Sequence, residues 1–205
     1  MIKFTRLPFK IDQVFLTSDT HYGHANICSA STSWDFPHNS QCRQFDSLES
    51  MNERIVDNIN SMVSEHDLLI HCGDWSFGGA ENITTFRKKI LCKNIILLQG
   101  NHDHNINVDH VSLEIFSNFQ QIGYFQIESL QFICCHYPMS IWYQSHKNVP
   151  MFYGHVHGSF ENRGKSLDVG IDNIFNIKKR YEPISLKEAY AITAKKSAFL
   201  ESHHV

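Results

Sequence analysis

Side chains able to ligate a cation recur along this chain in five short islands: Asp19-Thr20-His21, Gly73-Asp74, Gly100-Asn101-His102-Asp103, Cys134-Cys135-His136 and Gly154-His155-Val156-His157-Gly158. Carboxylates, imidazoles and one carboxamide are hard and borderline donors, suited to a pair of divalent first-row cations. A dimetal site for phosphoryl transfer needs an anion that bridges both ions, several neutral nitrogens, and an open position for water and phosphate. His21 stands two residues after Asp19, and His157 two after His155. That spacing fits extended or turning backbone, and the helical H-E-x-x-H zinc motif is absent.

Apolar runs precede most of the islands. Leu68-Leu69-Ile70-His71-Cys72 reads as a buried strand whose carboxyl end releases Asp74, the best candidate for the bridging carboxylate. Asp19 follows Val14-Phe15-Leu16-Thr17 in the same way, and Asn101 follows Ile95-Ile96-Leu97-Leu98 after one Gln and one Gly. Three parallel strands would then deliver three oxygen ligands to one sheet edge. Phe45, Leu48, Met51, Ile55, Ile59 and Met62 recur at helical spacing, and Asp46 with Glu49 has the form of a capping box. A second helix over about residues 80–91 completes a βαβαβ unit with right-handed crossovers expected. Further on, residues 122–136 suggest two strands joined at Ser129, with short strands at 151–153, 167–171 and 190–193.

In order and spelling the islands resemble the calcineurin-like metallophosphoesterase superfamily, with its D-x-H, G-D, G-N-H-D/E, H and G-H-x-H pattern. The resemblance covers about residues 14–158, and Leu167-Asp168-Val169-Gly170-Ile171-Asp172 with Pro183-Ile184-Ser185-Leu186 is similar to the small uncapped bacterial and phage members. The resemblance implies an α/β fold, a two-sheet β sandwich flanked by helices. Carried over residue by residue, it implies that Asp19, His21, Asp74 and His157 hold one metal, and that Asp74, Asn101, His136 and His155 hold the other. It also implies that His102 binds no metal and assists the leaving group, as proton donor or by stabilising charge. Noncatalytic members lack a working histidine there, so His102 favours an enzyme over a noncatalytic interaction module. The phosphoprotein phosphatases spell the second island G-D-x-x-D-R-G, whereas this chain has Gly73-Asp74-Trp75-Ser76-Phe77-Gly78-Gly79. Without that second Asp and that Arg, a phosphoserine or phosphothreonine phosphatase is disfavoured and the group that orients His102 is open. Asp103 is the adjacent carboxylate, and it equally suits a turn cap.

Other polar residues have two readings each. His24 and Asn26 follow the first ligands and either meet substrate or hydrogen-bond within their loop. Arg43 suits a phosphate clamp, since a guanidinium grips phosphate by two parallel bonds, or is a surface arginine before a helix. Asp168 and Asp172 either orient metal-bound imidazoles or close turns. His38, His66, His71, His104, His110 and His146 carry no assigned role and read as surface or loop residues. The six cysteines Cys28, Cys42, Cys72, Cys92, Cys134 and Cys135 form no C-x-x-C and read as buried free thiols.

At 205 residues and 42% hydrophobic content, one sizeable core and a single domain over 1–205 are expected. No apolar run reaches the length of a membrane span and no secretion signal is visible, so a cytoplasmic address is the default. The net charge of -3 gives no global basic footprint; Arg87-Lys88-Lys89 reads as helix surface and Lys178-Lys179-Arg180 as a late loop. Nucleic acid is thus a possible partner without being an indicated one, and the oligomeric state is not legible. The expected function is a phosphoesterase with two divalent metal ions, Mn²⁺ first and Fe or Zn as alternatives. Phosphodiesters of a nucleotide or other small phosphorylated substrate are favoured; a phosphomonoesterase, a nuclease and a metal-containing interaction module are the competing readings.

Overall fold

The strands expected from the apolar runs take their places, with others that those runs do not announce, in two five-stranded sheets in the computed structural model, which describes residues 2–106 and 115–198. In chain order the elements are β1 (Thr5–Arg6), β2 (Val14–Thr17), α1 (Leu48–Met62), β3 (Leu68–His71), α2 (Ala80–Lys89), β4 (Asn94–Leu98), β5 (Asn118–Gln120), β6 (Ile122–Ile127), β7 (Leu130–Cys135), β8 (Met151–Tyr153), β9 (Ser166–Asp168), α3 (Ile171–Lys178), β10 (Ile184–Ser185) and α4 (Leu186–Ala194). One sheet runs β10-β2-β3-β4-β5, with β2 to β5 parallel and β10 antiparallel at its edge. The other runs β1-β6-β7-β8-β9, in which β6 and β7 are an antiparallel hairpin and β8 and β9 continue parallel to β7.

Period-two alternation divides the apolar residues of β2, β3 and β4 between two cores. Val14, Leu16, Leu68, Ile70, Ile96 and Leu98 point at the second sheet and meet Phe125, Phe132, Cys134 and Phe152. Leu69, Ile95 and Leu97 point the other way, onto Met51, Ile55 and Ile59 of α1 and Ile83 and Phe86 of α2. Strands covered on both faces read as unbroken apolar runs, which is why they stand out in the sequence. Cys134 lies in the core between the sheets, whereas Cys135 joins Ile133, Met151, Tyr153 and Trp142 on the outer face. All six cysteines are buried and free.

Four sequence expectations change at this level. The cap of α1 is Ser47, whose hydroxyl accepts the Ser50 N–H at 3.0 Å while the Ser47 N–H donates to the Ser50 hydroxyl at 3.1 Å, so two serines replace the expected Asp46 and Glu49 pair. Residues 190–193 lie in α4, not a strand; Leu186 and Ala189 bury one helical face against the core between the sheets. The expected strand at 167–171 ends at Asp168, where the carboxylate folds back to accept the Gly170 N–H and α3 begins. Lys178 closes α3 and pairs with Glu182 and Glu188, so this basic run is a helix end tied to neighbouring carboxylates.

Candidate dimetal active site

The carboxyl ends of β2, β3, β4, β7 and β8 converge on one rim, and the seven predicted metal ligands are brought together there. Asp19 lies beyond β2, Asp74 beyond β3 and Asn101 beyond β4, while His136 follows β7 and His155 and His157 follow β8. Five of these seven, Asp19, His21, Asp74, His155 and His157, have φ between 49° and 72°. Non-glycine residues in that region each carry strain of about 1–3 kcal/mol, so the surrounding fold must hold them there. The glycines beside them leave room: a Cβ on Gly100 would collide with the Asp74 carboxylate, and one on Gly154 with Ser18 and Asp19.

Asp74 Oδ2 lies 3.6 Å from His21 Nε2 and 3.5 Å from His136 Nε2, midway between two groups of donors. On one side His21 Nε2 is 3.3 Å from His157 Nε2, which is 3.9 Å from Asp19 Oδ1. On the other, Asn101 Oδ1 is 2.9 Å from His136 Nε2 and 3.0 Å from His155 Nδ1. The His136 Nδ1–H donates to the Cys72 carbonyl at 2.9 Å, and burial holds the ring near pKa 4, so Nε2 presents a lone pair. Lone pairs facing lone pairs and a shared carboxylate oxygen are what two neighbouring cations require. Burial pushes Asp19 up to about 8 against the opposing pull of His157, and a cation beside it would keep it ionised. His21 Nδ1 is buried without a hydrogen-bond partner.

Backbone N–H groups aim the carboxylates. The His155 N–H lies 3.0 Å from both oxygens of Asp19, and the His102 N–H donates to Asp74 Oδ1 at 2.9 Å. Asp103 is 2% exposed and clasps three N–H groups, those of Asp74 and Gly100 through Oδ2 at 2.8 Å and that of Trp75 through Oδ1 at 2.9 Å. It therefore ties the Asp74 turn to the Asn101 turn, and its oxygens serve backbone instead of the His102 ring. His102 is instead packed among rings, with centroids 5.4 Å from His21, 5.3 Å from Phe77 and 6.4 Å from His24.

The expected substrate contacts fare differently. Arg43 is corrected: it is 2% exposed and donates from Nε and Nη2 to both oxygens of Asp172 at 2.8 Å, leaving the fork unavailable as a phosphate clamp. Its remaining bonds go to the carbonyls of Asp19 at 2.6 Å and Thr20 at 2.9 Å. Burial alone would raise the Asp172 carboxyl, but Arg43 and then His157 outweigh it and hold the group well below the usual carboxylate range. Asp172 in turn accepts from His157 Nδ1 at 2.6 Å, directing Nε2 to the donor group. Asp168 takes the turn role, accepting the N–H groups of Gly170 at 2.7 Å and Gly158 at 2.8 Å. Asn26 is also corrected: its carbonyl oxygen accepts from Ser33 N–H and hydroxyl at 2.9 Å, so it pins a loop. His24 stays beside the rim, its ring 4.0 Å from Phe77 and 5.4 Å from His21.

Sequence reasoning missed His71. It is buried, with Nε2 2.8 Å from the Thr20 hydroxyl, which itself donates to the Trp75 carbonyl at 2.7 Å. Since that hydroxyl spends its proton on Trp75, His71 must donate, and the pair braces the backbone between Asp19 and His21. A histidine inside an apolar strand run was the available signal. His110, His203 and His204 lie outside the described residues.

A family model described as calcineurin-like phosphoesterase matches residues 13–193. An uncharacterized protein of Methanocaldococcus jannaschii, MJ1445, is 27% identical over 183 residues, covering 85% of this chain and 87% of its own length. The crystal structure of AQ665 from Aquifex aeolicus, a protein of unknown function, superposes with a TM-score of 0.61 at 21% identity, over 87% of this chain and 98% of that one. The Pseudomonas putida nuclease MPE is a more distant likeness, with a TM-score of 0.42 at 19% identity over 71% of this chain and 61% of that one. With the family model spanning every strand but β1 and every island of the rim, this chain belongs to the calcineurin-like phosphoesterase family.

Proposed function

We propose that this chain is a dimetal-dependent phosphodiesterase acting on a nucleotide or other small phosphorylated substrate. Asp19, His21, Asp74 and His157 would hold one cation and Asp74, Asn101, His136 and His155 the other. The observation that carries this reading is the position of Asp74 Oδ2, 3.6 Å and 3.5 Å from the facing nitrogens of His21 and His136. Two divalent cations supply positive charge for the phosphoryl oxygens and lower the pKa of water to near neutrality. Mn²⁺ is the first choice for a donor set made of oxygen and imidazole nitrogen.

The protein's own groups divide the remaining work. Asp172 accepts the Nδ1–H of His157 and the Cys72 carbonyl accepts that of His136, which turns both Nε2 atoms inward. His102 stands outside both donor groups, with its backbone N–H on Asp74 and its ring at the open side. From there it gives a proton to the departing alcohol oxygen or stabilises its charge. Among the described residues lining the cleft beside the rim, the one arginine, Arg43, is held by Asp172, and the lack of a phosphate clamp supports diesters, which carry one negative charge fewer than monoester dianions.

The test is hydrolysis of bis(p-nitrophenyl) phosphate against p-nitrophenyl phosphate with added Mn²⁺. Faster diester turnover, abolished by Asp74→Asn, is expected. Faster monoester turnover overturns the diester assignment, and inertness on both, with metal bound, favours an interaction module. Cleavage of single- or double-stranded nucleic acid in preference to small diesters would make it a nuclease.

A further inference from the structure

Beside His102 the rim carries aromatic surface that the chemistry above does not use. Phe77 is 39% exposed and Trp34 is 41% exposed, and the His24 ring joins them, 4.0 Å from Phe77 and 5.9 Å from Trp34 between centroids. Phe77 reaches His102 at 5.3 Å, so an unbroken row of rings leads from His102 outward to the indole. Both ends of the row are built. The Phe77 N–H donates to the Tyr22 carbonyl at 2.8 Å, and its own carbonyl accepts from Asn82 at 2.6 Å. The loop carrying Trp34 is held one residue earlier by Asn26, which accepts two bonds from Ser33.

Two hollows flank the row. A cleft of about 840 Å³ runs from His155 and His157 past Trp34 to Tyr181, and a hollow of about 280 Å³ lies between Phe77 and His102. Among the described residues lining both, Arg43 is the single arginine or lysine, and its guanidinium is locked to Asp172 and two carbonyls. Two carboxylates also line these hollows, Asp172, bonded to Arg43 and His157, and Asp103, bonded to backbone N–H groups; the rest of the polar lining includes the Gln41 and Asn176 amides and the Ser40 hydroxyl. Away from the metal ligands, a second phosphate or an extended nucleic-acid backbone would find no free lysine or arginine among the lining residues, whereas single-strand binders pair stacking rings with a positive groove. A flat, uncharged heterocycle with hydrogen-bonding edges meets rings on its face and amides at its rim.

We infer that Trp34 and Phe77 form the stacking platform for a nucleobase, with the attached nucleoside leaving past His102. The inference rests on the phosphoesterase reading for its place beside the reacting phosphate. Adenosine is the probe, because it carries the base without phosphate, and ribose is the control. Trp75 and Trp142 are buried at 0% and 5% exposure, so quenching of intrinsic fluorescence reports on Trp34. Adenosine is expected to quench the Mn²⁺-loaded protein and to compete with hydrolysis of methyl p-nitrophenyl phosphate, while ribose does neither. Trp34→Ala and Phe77→Ala should each raise the adenosine inhibition constant about tenfold, and Trp34→Phe and Phe77→Tyr should restore it. If hydrolysis proceeds but adenosine neither quenches nor competes, or both alanine variants keep the wild-type constant, the platform is overturned and the phosphoesterase reading stands. If no phosphoester is cleaved yet adenosine quenches wild type and not Phe77→Ala, the platform stands and that reading falls.

Discussion

Asp74→Asn keeps the shape of its turn and an acceptor for the His102 N–H while removing the shared charge. Calorimetric titration with Mn²⁺ is expected to fall from two ions per chain to one or none, with a loss of turnover exceeding the 10–100-fold typical of an outer partner. His102→Ala should separate from it by lowering turnover about 10²–10⁴-fold with metal stoichiometry intact. Asp172→Asn tests the support behind His157: it leaves Arg43 buried beside a neutral amide, and Mn²⁺ affinity should drop about 10–100-fold in the same titration. Unchanged affinity would mean that Nε2 of His157 needs no guide. At this scale the candidate ligands were legible because each lies in a short local word at a strand end. The Arg43 pairing was not, since its carboxylate partner is 129 residues away and a free guanidinium looks identical in sequence.

Strands position the candidate ligands while helices cover the sheet that carries three of those strands, and sequence revealed the two kinds of element unequally. The runs around Leu69 and Ile96 are apolar at successive positions because both faces are covered, so β3 and β4 were plain to read. Residues 190–193 misled because Tyr190, Ile192 and Thr193 favour strands, whereas the Ser185 cap, the helix formers from Leu186 to Ala189 and the packing of Leu186 and Ala189 against the core carry the helix through them. The cap of α1 slipped by one residue for a similar reason, as serine and aspartate offer the same kind of acceptor to the first turn. Ser47→Ala should lower unfolding free energy by about 1 kcal/mol in urea titration, with Mn²⁺ stoichiometry unaltered. Asp74, the candidate bridge, is subject to a stricter element-level constraint, the closeness of the β3 and β4 turns. Gly100→Ala puts a methyl against the Asp74 carboxylate, and loss of Mn²⁺ binding in a protein that retains its circular dichroism is expected.

For the molecule as a whole, the rim draws its candidate donors from both sheets, so cation binding there would stabilise the sandwich by mass action. With each metal at a hundred times its dissociation constant, the gain is about 2.7 kcal/mol per site, and chelation should lower the melting temperature by about 10 °C or more in a thermal scan. The overall architecture was readable because strand order follows the chain through β2, β3 and β4; the exchange of the terminal strands was not. Short β10, paired through Ile184 with Leu16 and Ser185 with Phe15, is the last neighbour of the strand that leads to Asp19. Stripping it away would bare the hydrogen-bonding groups of β2 along an apolar flank, turning the site's first strand into a template for other chains. Protein trimmed before Ile184 should therefore self-associate through that flank, and light scattering would see the polymer before any assay registered the missing catalyst.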